Sequence, residues 1–386
     1  MLDPIVNFFS RVFQAIGRGI GWVVGILLWP FMAASRWYAR RGWLIKGPIG
    51  IMLLVLIGLY GYFIWNTQVW SGFDPEYAAK YEFVSAPATN PGESVPPANG
   101  DATGGAAARG AEGEIRTCTR SAITEVAADL IEFNVNQNAW ISSMILYKVG
   151  LFGIDWDSTP FLDNKASFQR GVNQAIRRTT VELVDTLGRV RGTSQIDQSL
   201  QDARGAMQFD EYTWYFGTDP FGFKTPTPAF YRSAIEHLHA FNARLEACNA
   251  VFDARADNLV QFLDRIASDI GSTSAILRER SELYNAGWFD VRADDRFWFA
   301  YGQLYGYYGV LKGARHDFTD VITSRGLATL WETTENQIVS ALKITPFIIS
   351  NGDEAGWIMP THLATMGFYV LRVRSNLVEI RSVLDR

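Results

Sequence analysis

The fold of this chain depends on the stretch RFWFAYGQLYGYYGVLKG (residues 296–313), in which glycine recurs at steps of four, three and four. This spacing places Gly302, Gly306, Gly309 and Gly313 on one side of a helix. Four interior glycines cost about 3–4 kcal/mol relative to alanine. A partner must approach this face closely enough to offset that cost, and we predict that the partner is another helix.

Aromatic residues accompany the glycines and allow two interpretations. The residues concerned are Trp288, Phe297, Tyr301, Tyr305 and Tyr308. In the first interpretation, region 288–313 is a platform on which rings stack against a sugar or a partner's peptide. In the second, the helix lies in the core and the rings pack around a close neighbour. Aromatic residues at helical spacing usually belong to cores, which favours the second interpretation.

An uncharged segment near the N-terminus predicts a membrane span. No charged residue occurs from Gly47 to Trp70, and the most apolar part runs from Pro48 to Trp65. A helix of this length crosses a hydrocarbon layer, since each residue adds about 1.5 Å. Aromatic residues gather at its end, as in the aromatic belt of a membrane protein. The apolar run begins too late for a cleaved signal peptide, so we predict a retained transmembrane helix over 47–70.

The charges on either side of this helix predict its orientation. Residues 1–46 carry six basic residues and one acid, a net charge of +5, whereas the whole chain carries −5, so residues 71–386 carry −10. Basic flanks remain in the cytoplasm. We therefore predict a bacterial inner-membrane protein whose C-terminal domain lies in the periplasm of a Gram-negative cell.

The basic segment 1–46 contains a second uncharged run, residues 19–35, which is shorter than the first and is interrupted by Pro30. It predicts either an amphipathic helix in the membrane interface or a short first span. The interfacial interpretation is favoured because the run only reaches the lower limit for spanning, about 17 residues. In both cases the large C-terminal part lies outside the cytoplasm.

The rest of the chain divides into three parts. A juxtamembrane segment (71–84) precedes a low-complexity stretch (85–116), which we predict to be a disordered linker that tethers the domain to the membrane. From 117 to 386 apolar residues recur with the period of a helix. Over 238–270 they are spaced three and four residues apart, as in a coiled-coil seam. The predicted fold is all-α, with an N-terminal membrane anchor and an extracytoplasmic antiparallel bundle of long helices.

The only two cysteines, Cys118 and Cys248, predict a disulfide in an oxidising compartment. The alternative is that Cys248 fills its seam position as a small apolar residue. If the bond forms, it closes a loop of about 131 residues and contributes about 4–5 kcal/mol in the chain-entropy model.

Motifs for catalysis, metal binding and cofactor binding are not recognisable in the sequence, so we predict no catalytic, metal or cofactor site. His237 and His239 lie about 200° apart on a helix and cannot share a metal. The stretch DWDSTPFLDNKA (155–166) begins like a calcium loop but has Pro160 and Ala166 where that loop needs glycine and glutamate. The acidic residues just before residue 296 are expected to interact favourably with the positive end of a helix dipole. The negative charge beyond the span argues against nucleic acid as a partner.

Two stretches carry a resemblance to a known family. They are RRTTVELVDTLGRVRGTSQIDQSLQDAR (177–204) and WFDVRADDRFWFAYGQLYG (288–306). With the Trp- and Arg-rich N-terminus and one retained span, they resemble uncharacterised proteobacterial inner-membrane proteins. The resemblance implies a Gram-negative envelope setting and no assigned reaction.

Together these features favour a non-enzymatic, membrane-anchored periplasmic scaffold that binds another envelope protein or peptidoglycan and that can form oligomers. A peptidoglycan-binding or wall-cleaving protein that uses region 288–313 is the alternative, and in that case the protein is an enzyme or a lectin-like module. The Glu-Ser pair typical of transglycosylases occurs only as Glu93-Ser94, inside the predicted linker, which weakens that alternative. A sensor is a third hypothesis, but a cytoplasmic segment that ends at Lys46 leaves no room for an output domain.

Overall fold

The computed structural model of the protein describes residues 3–83, 107–109, 115–151, 153–159, 161–188, 196–218, 220–354, 356 and 358–386. It divides into two units, Met1–Phe63 and Ile64–Arg386. The described residues are mostly helical, as the sequence predicts. The helices are α1 (Asp3–Ala39), α2 (Trp43–Gln68), α3 (Ala122–Glu132), α4 (Ile145–Val149), α5 (Asn164–Glu182), α6 (Gln198–Met207), α7 (Thr227–Glu246), α8 (Ala256–Leu283), α9 (Ala293–Asp317), α10 (Thr319–Ser324), α11 (Ala328–Leu342) and α12 (His362–Leu384).

The first unit consists of α1 and most of α2. Helix α2 has 26 residues and is long and apolar enough to be a membrane span or a signal sequence. Its apolar side chains are largely exposed, for example Leu54 at 70% and Ile57 at 67%. The uncharged run 19–35 lies in α1, which bends by 45° between Gly17–Ile26 and Leu28–Ala39. Whether that run spans or lies on a membrane stays a prediction.

The described residues also include two antiparallel strand pairs and several short 3-10 and π-helical turns. Strand β1 (Ala107–Arg109) pairs with β2 (Ile115–Thr117), and β3 (Phe216–Thr218) pairs with β4 (Phe221–Phe223). The first pair falls mainly within the predicted disordered linker 85–116, where the sequence predicted no strand. Residues 85–106 and 110–114 of that linker lie outside the described residues.

Helix α9 is the centre of the second unit, because close neighbours occupy its whole glycine face. The main chain of Phe168 lies against Gly302, and Ala175 lies against Gly306, both from α5. Tyr77 and Val126 meet at Gly309, and the first turn of α3 reaches Gly313, where an added Cβ would lie 2.8 Å from the nitrogen of Ile123. Two helices and one tyrosine therefore fill the space that the glycines leave open.

The pairing of α5 with α9 differs from the predicted antiparallel arrangement. Phe168 faces Gly302 and Ala175 faces Gly306, so residue numbers rise in the same direction along both helices and the pair is parallel. By contrast, α12 runs antiparallel to α8, since Gly367 lies beside Leu277 while Arg381 bonds Asp264. Short loops favour antiparallel neighbours, but the long intervening stretch 183–292 separates α5 from α9 and removes that restriction.

The single seam predicted over 238–270 is also divided in the structure. Helix α7 ends at Glu246 and α8 begins at Ala256. Between them Cys248 adopts a positive φ of 60°, which ends the helical path. The seam residues themselves are buried in both helices, for example Phe241 and Ile266. The apolar periodicity therefore predicts correctly which residues are buried, but it wrongly predicts one continuous helix.

We expect Gly302→Ala to destabilise the full-length protein in detergent, because the new methyl group would meet the main chain of Phe168, which cannot move aside. Overpacking of this kind costs about 1–3 kcal/mol, more than the helix propensity that alanine returns. Denaturant titration monitored by circular dichroism measures the loss.

The matched control is Gly205→Ala in α6, where an added Cβ meets nothing within 4 Å. This substitution should leave the free energy of unfolding unchanged or raise it by up to about 1 kcal/mol. Equal effects of the two substitutions would show that α5 does not approach the glycine face.

Candidate functional site

The residues of the predicted aromatic platform lie mostly inside the protein. Phe297, Tyr301, Tyr305 and Tyr308 are 0–4% exposed, and only Trp288 reaches 49%. The Tyr301 hydroxyl donates a hydrogen bond to the Leu342 carbonyl at 2.5 Å. As the structure places them, the four α9 rings have no free face for a sugar, so the platform interpretation is wrong for these residues. The competing interpretation, a core helix, describes them.

The covering side chains come from the last residue of the predicted span and from the juxtamembrane segment. The ring of Tyr77 stacks on Tyr305 at 4.3 Å between centroids, and the ring of Trp70 lies 4.9 Å from Phe168. The Tyr77 hydroxyl donates to the Tyr305 carbonyl at 2.8 Å and accepts from the Gly309 amide at 3.1 Å. Residues after the predicted span thus pack against the hydrophobic core and do not form a connecting segment outside the folded unit.

Polar contacts hold the end of α2 in the same unit. Lys165 is 3% exposed, and its Nζ donates to the carbonyls of Asn66 at 2.9 Å and Val69 at 2.6 Å. These carbonyls lie at the negative end of the α2 dipole, where a cation is favoured. Burial lowers the pKa of Lys165 to about 8. Gln68 adds a hydrogen bond to the Phe161 carbonyl at 2.8 Å.

The folded unit therefore begins at Ile64, earlier than the predicted domain start at residue 117. The sequence feature that could have predicted this earlier start is the high density of aromatic residues in WSGFDPEYAAKYEF (70–83), which is unusual for a connecting segment. Because residue 83 and residue 118 both belong to this unit, the linker 85–116 joins two parts of it. The predicted position of that stretch, between the membrane and the domain, is therefore wrong.

Cys118 and Cys248 are joined by a disulfide with a Cα–Cα distance of 5.4 Å. Cys118 precedes α3, and Cys248 follows α7. Beside the bond, the Ser121 amide donates to Asn242 Oδ1 at 3.0 Å, and Asn242 returns a hydrogen bond to the Ser121 carbonyl. The bond therefore fixes the start of α3 to the end of α7.

A pocket of about 230 Å³ opens between the juxtamembrane segment and α3. Its wall includes Tyr81, Asp129 and Glu132. The Tyr81 hydroxyl donates to Asp129 at 2.9 Å, and Asn136 donates to Glu132. Each of the two carboxylates in the wall thus accepts a hydrogen bond from a protein side chain.

A cluster of buried acids is a more unusual feature. One carboxylate oxygen from each of Asp157, Asp163 and Asp295 lies within 4.8 Å of the others, and Asp294 neighbours them. Asp163 precedes α5, while Asp294 and Asp295 lie in the first turn of α9. The parallel packing of the two helices brings both N-termini, and hence these acids, to one end of the unit.

The four carboxylates differ in their partners. Asp157 accepts from the Tyr147 hydroxyl at 2.6 Å and pairs with Arg292 at 3.4 Å. Asp295 accepts from Ser167 at 2.6 Å, and it also lies 3.8 Å from Arg170 and 4.0 Å from Arg292. The side-chain oxygens of Asp163 and Asp294 have no hydrogen-bond partner among the described residues.

Burial and the neighbouring acids explain the titration of the cluster. Burial, followed by the charges of Asp294 and Asp295, raises the pKa of Asp163 to about 10. Burial, followed by the charge of Asp295, raises the pKa of Asp294 to about 7. Because burial disfavours an ionised carboxyl and like charges add to this effect, the cluster is electrostatically costly without a compensating positive charge.

The sequence contains both halves of this cluster, but no pattern in it connects them. The stretch 155–166 does not have the spacing of the familiar calcium loop, and acids at the start of α9 are expected at the positive end of a helix dipole. The long stretch of chain between Asp163 and Asp294 hides the cluster from motif analysis. Only the parallel α5–α9 pair reveals it.

Comparison with known proteins gives one match. Residues 116–285 and 277–386 match a family described as uncharacterised proteins conserved in bacteria (DUF2333). No curated protein and no solved structure matches the chain. The matched segments together cover the helices α3–α12, including the acid cluster, the glycine face and Cys248. The chain therefore belongs to this uncharacterised bacterial family.

Proposed function

We propose that the protein is a membrane-anchored scaffold of the bacterial envelope, with its helical unit in the periplasm and with a second envelope protein as its partner. The observation that carries the proposal is the continuity between α2 and the second unit. Lys165 donates to the Asn66 and Val69 carbonyls at the end of this exposed apolar helix, and Gln68 of the helix donates to the Phe161 carbonyl. The end of α2 is therefore an integral part of the folded unit.

The exposure of α2 supports a role as an anchor. A helix whose leucine and isoleucine side chains are mostly exposed over 26 residues has no protein core of its own to enter. Such a helix is stable in a hydrocarbon layer, because the backbone groups of a helix are already hydrogen-bonded to one another. At about 1.5 Å per residue α2 is about 39 Å long, sufficient to span with some tilt.

Charge and redox chemistry support a periplasmic location for the second unit. The six basic residues before the span favour a cytoplasmic N-terminus, and the second unit therefore lies on the other side. Structural disulfides persist in oxidising compartments such as the periplasm. The Cys118–Cys248 bond lies in the second unit and thus agrees with that orientation.

Exposed aromatic residues of the second unit supply candidate contact surfaces. In the β3–β4 hairpin, Phe221 is 81% and Phe223 is 94% exposed, and in the segment before α9 Phe289 is 80% exposed. Aromatic side chains are enriched at the centres of protein interfaces. The buried rings of α9 do not support the alternative of a glycan platform on that helix.

A test of compartment combines a reporter with the thiol state of the cysteines. We expect a C-terminal alkaline phosphatase fusion at Arg386 to be active in a Gram-negative host, since that enzyme needs periplasmic oxidation. Cys118 and Cys248 should resist maleimide labelling in acid-quenched, denatured whole cells until a reductant is added. The periplasmic assignment would be refuted by two results together. A reporter fused at Arg386 would be active only if it is one that works in the cytoplasm, and the cysteines would be free thiols in freshly quenched cells.

A test of partner binding uses photo-crosslinking amino acids in native membranes. We expect Phe223 or Phe289, when replaced by the probe, to give a discrete adduct with another protein, identified by mass spectrometry. The control position is Glu279, which is exposed on the polar side of α8. Adducts with lipid alone, adducts only with a second copy of the chain, or identical adducts from Glu279 would each contradict a scaffold with a specific heterologous partner.

A further inference from the structure

The acid cluster has an excess of negative charge in a buried position. Four carboxylates meet there, and two guanidinium groups, those of Arg170 and Arg292, lie against them. The local formal charge is −2 when all four acids are ionised. Both arginines contact Asp157 or Asp295, and neither forms an ion pair with Asp163 or Asp294 within 4.0 Å among the described residues.

Asp163 is the most informative member of the cluster. Its side chain is 0% exposed, and both of its oxygens lack a hydrogen-bond partner in the part of the chain that the structure describes. It occupies the N-cap position of α5, where aspartate normally accepts from the helix backbone, yet it makes no capping hydrogen bond. Asp294 is 4% exposed and its oxygens are likewise without partners there. A buried carboxyl group without a hydrogen-bond partner is destabilising in its ionised form, unless a positive charge compensates it or a proton neutralises it.

The spacing of the oxygens fits a common ion. Calcium binds oxygen ligands at about 2.3–2.6 Å, so two ligands on opposite sides of one ion are at most about 5 Å apart. Oxygens of Asp157, Asp163 and Asp295 lie within 4.8 Å of one another. Three segments of the chain therefore present carboxylate oxygens at separations that one ion can bridge.

The ligand chemistry selects the class of ion. The cluster offers carboxylates, with the hydroxyls of Ser167 and Tyr147 hydrogen-bonded behind them, and its members include neither histidine nor cysteine. Oxygen-only sites suit hard cations, whereas zinc and copper prefer sites with nitrogen or sulfur. Magnesium requires near-ideal octahedral geometry and retains several waters, which an interior cluster of carboxylates from three segments does not favour.

We propose that Asp157, Asp163 and Asp295, with Asp294 beside them, form a calcium site that joins the chain at Asp157 to the starts of α5 and α9. The ion supplies the positive charge that the unpaired carboxylates lack. Hydrogen bonds from Tyr147 to Asp157 and from Ser167 to Asp295 orient two of the ligands, as partners behind a metal ligand commonly do.

The site adjoins the segment that holds the end of α2. Lys165, two residues after Asp163, binds the carbonyls of Asn66 and Val69. An ion at the cluster thus stabilises the part of the unit in which the apolar helix ends. This inference concerns stability and ion binding, and it holds whether or not the partner proposed above exists.

Calcium binding can be measured on the full-length protein in detergent after treatment with EDTA and removal of the chelator. We expect excess CaCl₂ to raise the unfolding temperature by about 5 °C when calcium is present at roughly 100 times its Kd. Terbium, a luminescent substitute for calcium, should show emission sensitised by Trp156, which lies next to Asp157 in the chain. Calcium should displace it, and magnesium should do so only at much higher concentration.

Substitutions identify the site. Asp163→Asn should abolish both the calcium-dependent shift and the terbium signal. Asp155→Asn, at an exposed acid two residues before Asp157, should leave both unchanged. If Asp163→Asn fails to fold, Asp157→Asn provides the same comparison at a partly exposed position.

Three results would overturn the proposal. The first is a wild-type protein that shows neither the shift nor terbium emission. The second is a calcium response that Asp163→Asn and Asp157→Asn leave intact. The third is an Asp163→Asn variant that is more stable than wild type while calcium has no effect on either, because the carboxyls would then share a proton instead of a metal ion.

Discussion

The close approach of α5 to the glycine face of α9 determines much of the second unit. The main chain of Phe168 lies where a side chain of residue 302 would otherwise be, so the two helices pack closely and side by side along their length. This contact is possible only without a Cβ at that position, and dispersion contacts over the whole face offset the propensity cost of the glycines. The remaining part of the face, at Gly309, receives Tyr77.

Two features follow from this packing. The parallel direction of α5 and α9 places both N-termini at one end, which concentrates Asp163, Asp294 and Asp295. The opening at Gly309 admits the Tyr77 hydroxyl, which attaches the juxtamembrane segment to the core. The proposed calcium site thus depends on the α5–α9 pair, and the attachment of the juxtamembrane segment depends on the glycine face of α9.

The sequence predicted local features well and long-range pairing poorly. Helical periodicity identified the all-α character and the buried residues of α7, α8 and α12, and glycine spacing predicted that another helix approaches α9. The direction of α5 relative to α9 was missed because periodicity carries no information about pairing across a stretch as long as 183–292. The acid cluster was missed for the same reason, since its members are unremarkable in their separate segments.

The direct test of the account concerns residues 66–83, which we assign to the folded core and not to a connecting segment outside it. Hydrogen exchange followed by mass spectrometry, on the full-length protein in lipid nanodiscs, reports their protection. Amides of this segment should exchange slowly, together with those of α5 and α9, and Lys165→Met should accelerate exchange over 66–70 far more than the exposed control Lys148→Met. Exchange over 70–83 at the rate of an unstructured peptide, while α5 and α9 stay protected, would contradict the account.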